Sequence, residues 1–212
     1  MAFYLDSASP DDVRRAVDLG FIAGVTTNPK LLARVDRPVE DVLPALCDAL
    51  GEDGVVFYQL AASSVAEREA EARRVAALQP GRIGLKVPCT TENLAMLPRL
   101  IADGLICAVT AVFSAHQTLL ACAVGAVYVI PYVNRATRQL GDGIELVKAM
   151  ASVCEVTGAS TEILGASFQN LTEVVQAVQA GADHVTIPLG LLETLGEHPL
   201  SERAIEDFAQ FV

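Results

Sequence analysis

Apolar and polar positions along the chain follow two alternating rhythms. Short runs rich in Val, Ile, Leu and Ala, of the length a buried strand needs, occur at residues 3–6, 23–27, 55–60, 83–87, 106–111, 126–133, 161–166 and 184–187. Between them lie stretches in which Ala and Leu recur three or four residues apart among polar ones, the pattern of a helix with one apolar stripe. These are 9–19, 38–50, 64–78, 91–102, 114–124, 143–156, 171–180 and 189–195. Continuously apolar strands separated by helices are the signature of parallel βα units. About eight of them in 212 residues predict one (β/α)8 TIM barrel spanning residues 1–212.

Local signals agree with that reading. Ser9-Pro10-Asp11-Asp12 offers an N-cap, a proline for the first turn and carboxylates near the positive end of the helix dipole, and Thr90-Thr91-Glu92 offers a second start. Gly20, Gly104, Gly125 and Gly181 mark helix ends where a left-handed residue is wanted. Residues 201–212 read as one more amphipathic helix, with Ala204, Ile205, Phe208 and Phe211 available for an apolar face.

Composition narrows the function classes. The apolar share of 52% and mean hydropathy of +0.40 are high, yet no apolar run is long enough to span a membrane. The surplus predicts burial in a barrel and at a subunit interface, hence a homo-oligomer. A net charge of −11 leaves no electrostatic footprint for nucleic acid, and no basic amphipathic segment suggests a membrane surface. Cys47, Cys89, Cys107, Cys122 and Cys154 are scattered among apolar neighbours and read as reduced thiols; with an N-terminus lacking signal-peptide regions, they predict a cytoplasmic protein. His116, His184 and His198 are dispersed, so no metal site is expected.

Chemistry concentrates where the predicted strands end. Active sites of TIM barrels lie at the carboxyl ends of the strands. There the chain places Asp6, Thr26 with Asn28, Gln59, Lys86, Thr110, Tyr132 with Asn134 and Arg135, and Ser167. Singly, each has an ordinary explanation as a turn cap, a β-former or a core aromatic with a wet hydroxyl. Lys86 lies inside the apolar run Ile83-Gly84-Leu85-Lys86-Val87-Pro88. Either its stem snorkels its ammonium to water, or burial lowers its pKa and frees an amine that attacks a carbonyl to form a Schiff base.

Tyr4-Leu5-Asp6, Gly24-Val25-Thr26-Thr27-Asn28-Pro29, Leu85-Lys86-Val87-Pro88, Val109-Thr110-Ala111, Pro131-Tyr132-Val133-Asn134-Arg135 and Ala166-Ser167-Phe168 together resemble the transaldolase/fructose-6-phosphate aldolase family over nearly the whole chain. The resemblance implies a cofactor-free and metal-free barrel enzyme acting on a sugar or sugar phosphate. Lys86 forms the Schiff base, and Asp6, Thr26 and Asn28 position donor hydroxyls and handle protons. Thr110 helps hold a water, Gln59 and Tyr132 complete the acid/base network, and Asn134, Arg135 and Ser167 bind substrate, the latter two its phosphate. It also implies pentameric or decameric assembly through a C-terminal helix, about residues 201–212, at a subunit interface. Within the family, Gln59 and Tyr132 resemble the aldolases, where transaldolases carry glutamate and phenylalanine. The expected activity is therefore class I cleavage of fructose 6-phosphate to dihydroxyacetone and glyceraldehyde 3-phosphate, or the reverse. Transaldolase transfer of the dihydroxyacetone unit stands as the alternative, and a noncatalytic sugar-phosphate-binding barrel, with Lys86 paired to Asp6, as the alternative of another class. Ile130 stands where transaldolases have serine and the aldolases alanine, which predicts a narrower donor end. Gln169 replaces the usual Arg or Lys, which weakens the expected phosphate site. The chain also stops somewhat earlier than the aldolase tail.

Overall fold

A computed structural model describes residues 1–211. Eight strands pair in parallel in chain order, and β1 closes the ring against β8. They are β1 Ala2–Asp6, β2 Ile22–Thr26, β3 Val55–Gln59, β4 Ile83–Pro88, β5 Cys107–Val112, β6 Tyr128–Pro131, β7 Glu162–Gly165 and β8 His184–Ile187. The connecting helices are α1 Pro10–Asp18, α2 Pro29–Leu32, α3 Val39–Leu50, α4 Val65–Ala76, α5 Thr91–Leu94, α6 Leu97–Ala102, α7 Ala115–Ala123, α8 Val133–Leu140, α9 Gly143–Thr157, α10 Leu171–Gln179 and α11 Leu189–Glu193, followed by the tail helix α12 Pro199–Ala209. This is the predicted (β/α)8 barrel.

Helix starts follow the local signals: Ser9 caps α1 by accepting from the Asp12 amide, and Ser64 and Glu67 form a reciprocal capping box on α4. Gly20, Gly104, Gly125 and Gly181 all adopt the left-handed φ expected of them. Most element ends lie within two residues of the sequence reading, and three departures stand out. The strand expected to run to Val133 stops at Pro131, and Val133 opens α8. The helix expected over 91–102 divides at Ala95 and Met96, ahead of Pro98, into α5 and α6. Asn28 caps the short α2, which the sequence reading left unassigned.

Strand side chains alternate between two cores. Outward residues such as Leu5, Val25, Val56, Leu85, Val109, Val129, Ile163 and Val185 pack beneath the helices. Inward residues Tyr4, Phe57, Ala108, Ile130 and Leu164 fill the barrel's middle, with Tyr128 packed against them. Tyr4, Phe57, Tyr128 and His184 meet at ring separations of 5.3–6.2 Å and form an aromatic floor. Gly24 and Gly84 make room for it: a Cβ at either would lie under 3 Å from the Tyr4 or Phe57 ring.

The tail helix α12 buries none of its residues, and Leu200, Ile205 and Phe208 are about 70% exposed. The expected tail 201–212 thus matches a helix, although Val212 lies outside the described residues. No helix among the described residues is long and apolar enough to cross a membrane.

Candidate active site

Period-two alternation decides which side chains reach the carboxyl-end opening. One step above the aromatic layer, the inward positions are Asp6, Thr26, Gln59, Lys86, Thr110, Tyr132, Ala166 and Thr186. The ladder sets Asp6 beside Thr26 and Gln59 beside Lys86. Thr186 was missed by the sequence reading, although it is the inward polar residue at the carboxyl end of a strand, His184–Ile187, whose limits the sequence predicts.

Lys86 is only 3% exposed. Its Nζ donates to the Thr27 carbonyl at 2.9 Å, and it forms no ion pair among the described residues. The first of its two sequence readings, an ammonium snorkelling to water, therefore fails. Burial pushes its pKa down from 10.5 to about 8, opposed by the charge of Asp6. Burial pushes the Asp6 carboxyl up, against the Lys86 charge, the Thr26 hydroxyl and the Asn28 amide. Both shifts favour the neutral forms. Thr26 Oγ1 donates to Asp6 at 2.9 Å and lies 2.7 Å from the Thr186 hydroxyl.

A second network lies across the opening. Thr110 donates to the Tyr132 hydroxyl at 3.1 Å, and Tyr132 donates to Gln59 Oε1 at 3.2 Å. Because Gln59 accepts through its oxygen, its amide nitrogen remains a donor. Burial pushes the Tyr132 pKa up, against the Thr110 hydrogen bond and the Arg135 charge, so the phenol keeps its proton. Arg135 stacks over the Tyr132 ring at 4.7 Å.

The backbone departs from regular geometry at two places around this network. Ala111 takes φ 59°, where the β5–β6 register shifts, and Ser167 takes φ 66° just beyond β7. Left-handed L-residues cost about 1–2 kcal/mol. At Ser167 the α8 N-terminus holds the strained loop, with Val133 N–H donating to Ala166 O and Asn134 N–H to Ser167 O. Glu173 adds a brace, accepting from the Asn134 side chain at 2.7 Å and the Gln169 amide at 2.9 Å.

An open cavity of about 630 Å³ is lined by Asp6, Asn28, Gln59, Lys86, Tyr132, Arg135 and Ser167, with Thr186 and Gln169 beside them. Thr26 and Thr110 lie just behind this surface, hydrogen-bonded to Asp6 and Tyr132. Asn134 does not line the cavity: its amide is committed to Glu173, which makes it part of the brace for the Ser167 loop. Ile130 is fully buried in the layer beneath and does not itself line the cavity. Lys30, Arg34 and Arg138, which sequence alone could not place, all reach the rim. Glu71 on α4 was also missed. Its buried carboxylate accepts from Tyr58 OH and from the Ala61 and Ala62 amides, fixing the loop that follows Gln59. It lies four residues before the core residue Val75, and that helical spacing was the available signal.

Solved structures of flavocytochrome b2 resemble this fold. One with pyruvate bound aligns at TM-score 0.63 and 16% identity, covering 91% of this chain and 57% of its own. A second, with benzoylformate, gives 0.64 and 15%, covering 91% and 58%. The flavin-binding domain of baker's yeast flavocytochrome b2 gives 0.60 and 15%, covering 90% and 57%. This chain therefore spans less than three fifths of the length of those chains, and the likeness is one of fold. More specific is the match of residues 3–212 to the family model described as Transaldolase/Fructose-6-phosphate aldolase. With that match across the barrel that carries Lys86, this chain belongs to the transaldolase/fructose-6-phosphate aldolase family.

Proposed function

We propose that this chain is a class I aldolase that makes or breaks the bond between a dihydroxyacetone-type donor and an aldehyde, as in cleavage of fructose 6-phosphate to dihydroxyacetone and glyceraldehyde 3-phosphate. The observation that carries the reading is Lys86: a buried amine without an ionic partner, its pKa near 8, opening into a cavity with Asp6 and Tyr132. At pH 7 an amine of that pKa is roughly 10% unprotonated, about 300-fold more than one at 10.5. A noncatalytic barrel with Lys86 paired to Asp6 is disfavoured, because that pair is not made among the described residues.

In the proposed cycle Lys86 Nζ attacks the ketose C2, and loss of water leaves an iminium. Asp6 then takes the proton of the C4 hydroxyl while the C3–C4 bond breaks, its electron pair passing into the iminium to give an enamine. The aldehyde leaves, a proton reaches C3 through water held by Gln59 and Tyr132, with Thr110 donating to Tyr132 from behind, and hydrolysis releases dihydroxyacetone. The Tyr132 phenol favours this final protonation, and hence free cleavage over transfer to a second aldehyde. Arg135 and the Ser167 loop hold the phosphate of the leaving aldehyde. The exposed apolar face of α12 supports a homo-oligomer in which a neighbouring copy covers it.

The deciding experiment is release of glyceraldehyde 3-phosphate from fructose 6-phosphate, with and without erythrose 4-phosphate. Release without the acceptor is expected; release only with it means a transaldolase. Tyr132→Phe is expected to slow free cleavage by about 100-fold and transfer far less. Equal loss of both would sink the role given to the phenol.

A further inference from the structure

Lys30, Arg34, Arg135 and Arg138 all line the cavity above Lys86, and Asp6 is the one carboxylate among the described residues that line it. None of these four cations forms an ion pair among the described residues. On the outer wall, by contrast, Arg14, Arg15, Arg73, Arg74 and Arg99 each pair with a carboxylate. In a chain of net charge −11, unpaired cations gathered at one opening make a local field that attracts anions.

Their placement on the barrel says more. Lys30 in α2 and Arg34 just beyond it follow β2, next to Asn28; Arg135 and Arg138 in α8 follow β6. In a closed ring of eight strands in chain order, β2 and β6 stand opposite each other. The cations thus form two pairs facing across the mouth, with Lys86 between them. A phosphate on Arg135 and the Ser167 loop occupies one wall and leaves the other pair without a counter-ion.

We propose that Lys30 and Arg34 form a second anion subsite, so that the cavity takes a sugar carrying an anionic group at each end: a ketose bisphosphate, or on cleavage a phosphorylated three-carbon donor. This rests on the reading of Lys86 as the Schiff-base centre, which puts the ketose carbonyl between the two walls.

Two measurements test it. Borohydride trapping on Lys86 compares dihydroxyacetone phosphate with dihydroxyacetone, and calorimetry with Lys86→Met protein compares fructose 1,6-bisphosphate with fructose 6-phosphate. The phosphorylated donor is expected to half-saturate trapping at a concentration roughly 10- to 100-fold lower, the usual worth of charge-assisted hydrogen bonds to an anion. The bisphosphate is expected to bind more tightly by a similar factor. Both preferences should collapse in Lys30→Ala/Arg34→Ala and persist in Arg135→Ala. Equal saturation by the two donors overturns the proposal. So does a Lys30→Ala/Arg34→Ala protein that loses fructose 6-phosphate as much as the bisphosphate, since that means one shared anion site. If neither donor is trapped, the Schiff-base reading fails, and the calorimetric comparison still decides whether the second subsite exists.

Discussion

Glu71, beyond the end of β3, and Lys86, on the neighbouring β4, are both charged side chains withdrawn from water. Glu71 is met by three donors: the Tyr58 hydroxyl and the amides of Ala61 and Ala62. Lys86 is met by the single Thr27 carbonyl. An ammonium has three protons to give, so the second arrangement leaves the charge poorly solvated, while the first replaces water bond for bond. Glu71, with each donor satisfied, stiffens the loop beside Gln59. Lys86 gains by losing its proton, and under the proposed chemistry the freed amine is the group that attacks the carbonyl. Counting the partners of a buried charge thus separates a structural ion from a chemical one.

The hardest test of that contrast is Lys86→Met, which is expected to abolish turnover while raising stability at pH 7 on the order of 3 kcal/mol. The sign follows from the lowered pKa. Below about pH 8 both folded and unfolded chains hold the proton, and the folded state bears the full cost. Between about 8 and 10.5 the unfolded chain binds more protons, so wild-type stability rises with pH and the advantage of methionine fades. Denaturant titrations at pH 7 and 10.5 read both limits; a methionine variant no more stable at pH 7 would contradict the assigned cost.

Glu71→Ala should do the reverse, losing roughly 3 kcal/mol because three donors lose an ionic acceptor, and Glu71→Gln should recover part of it. If turnover falls through Gln59, kcat in the surviving folded protein should fall more than KM rises. A smaller effect is the pH profile: kcat/KM should climb about tenfold from pH 7 to 9 and level off as the Lys86 amine is freed. A plateau already reached at pH 6 would place the controlling ionisation elsewhere. Smallest is Glu173→Ala, which releases Asn134 and the Ser167 loop. It is expected to raise KM for phosphorylated substrates about fivefold, the worth of roughly one hydrogen bond, with little change for unphosphorylated ones.

Much of this architecture was legible because barrel strands are apolar on both faces and interrupt the chain at regular intervals. The polar residues at their ends stood out against that background, and period-two alternation brings Asp6, Gln59, Lys86, Thr110 and Tyr132 to one level. The errors have local causes. Tyr128 to Val133 is aromatic and β-branched throughout apart from Pro131, and so mimics a longer strand, yet Tyr132 turns the backbone into α8. Asn134 follows Tyr132 in the motif, but as a helical residue it points to Glu173 and away from the opening. Glu71 hides in an Ala- and Glu-rich helix where most carboxylates face solvent, and only its spacing to Val75 distinguishes it. The facing of Lys30 and Arg34 toward Arg135 and Arg138 is a product of ring closure, invisible to any local window.

The aromatic floor made by Tyr4, Phe57, Tyr128 and His184 seals the amino-terminal end of the barrel. The cavity that reaches Lys86 opens on the opposite side, at the carboxyl ends of the strands. Under the proposed chemistry, the first aldehyde departs by the route its replacement uses, so arrival and departure compete for the same opening. A carbohydrate remaining on the lysine would stand in that same opening and bar the next substrate until it is released.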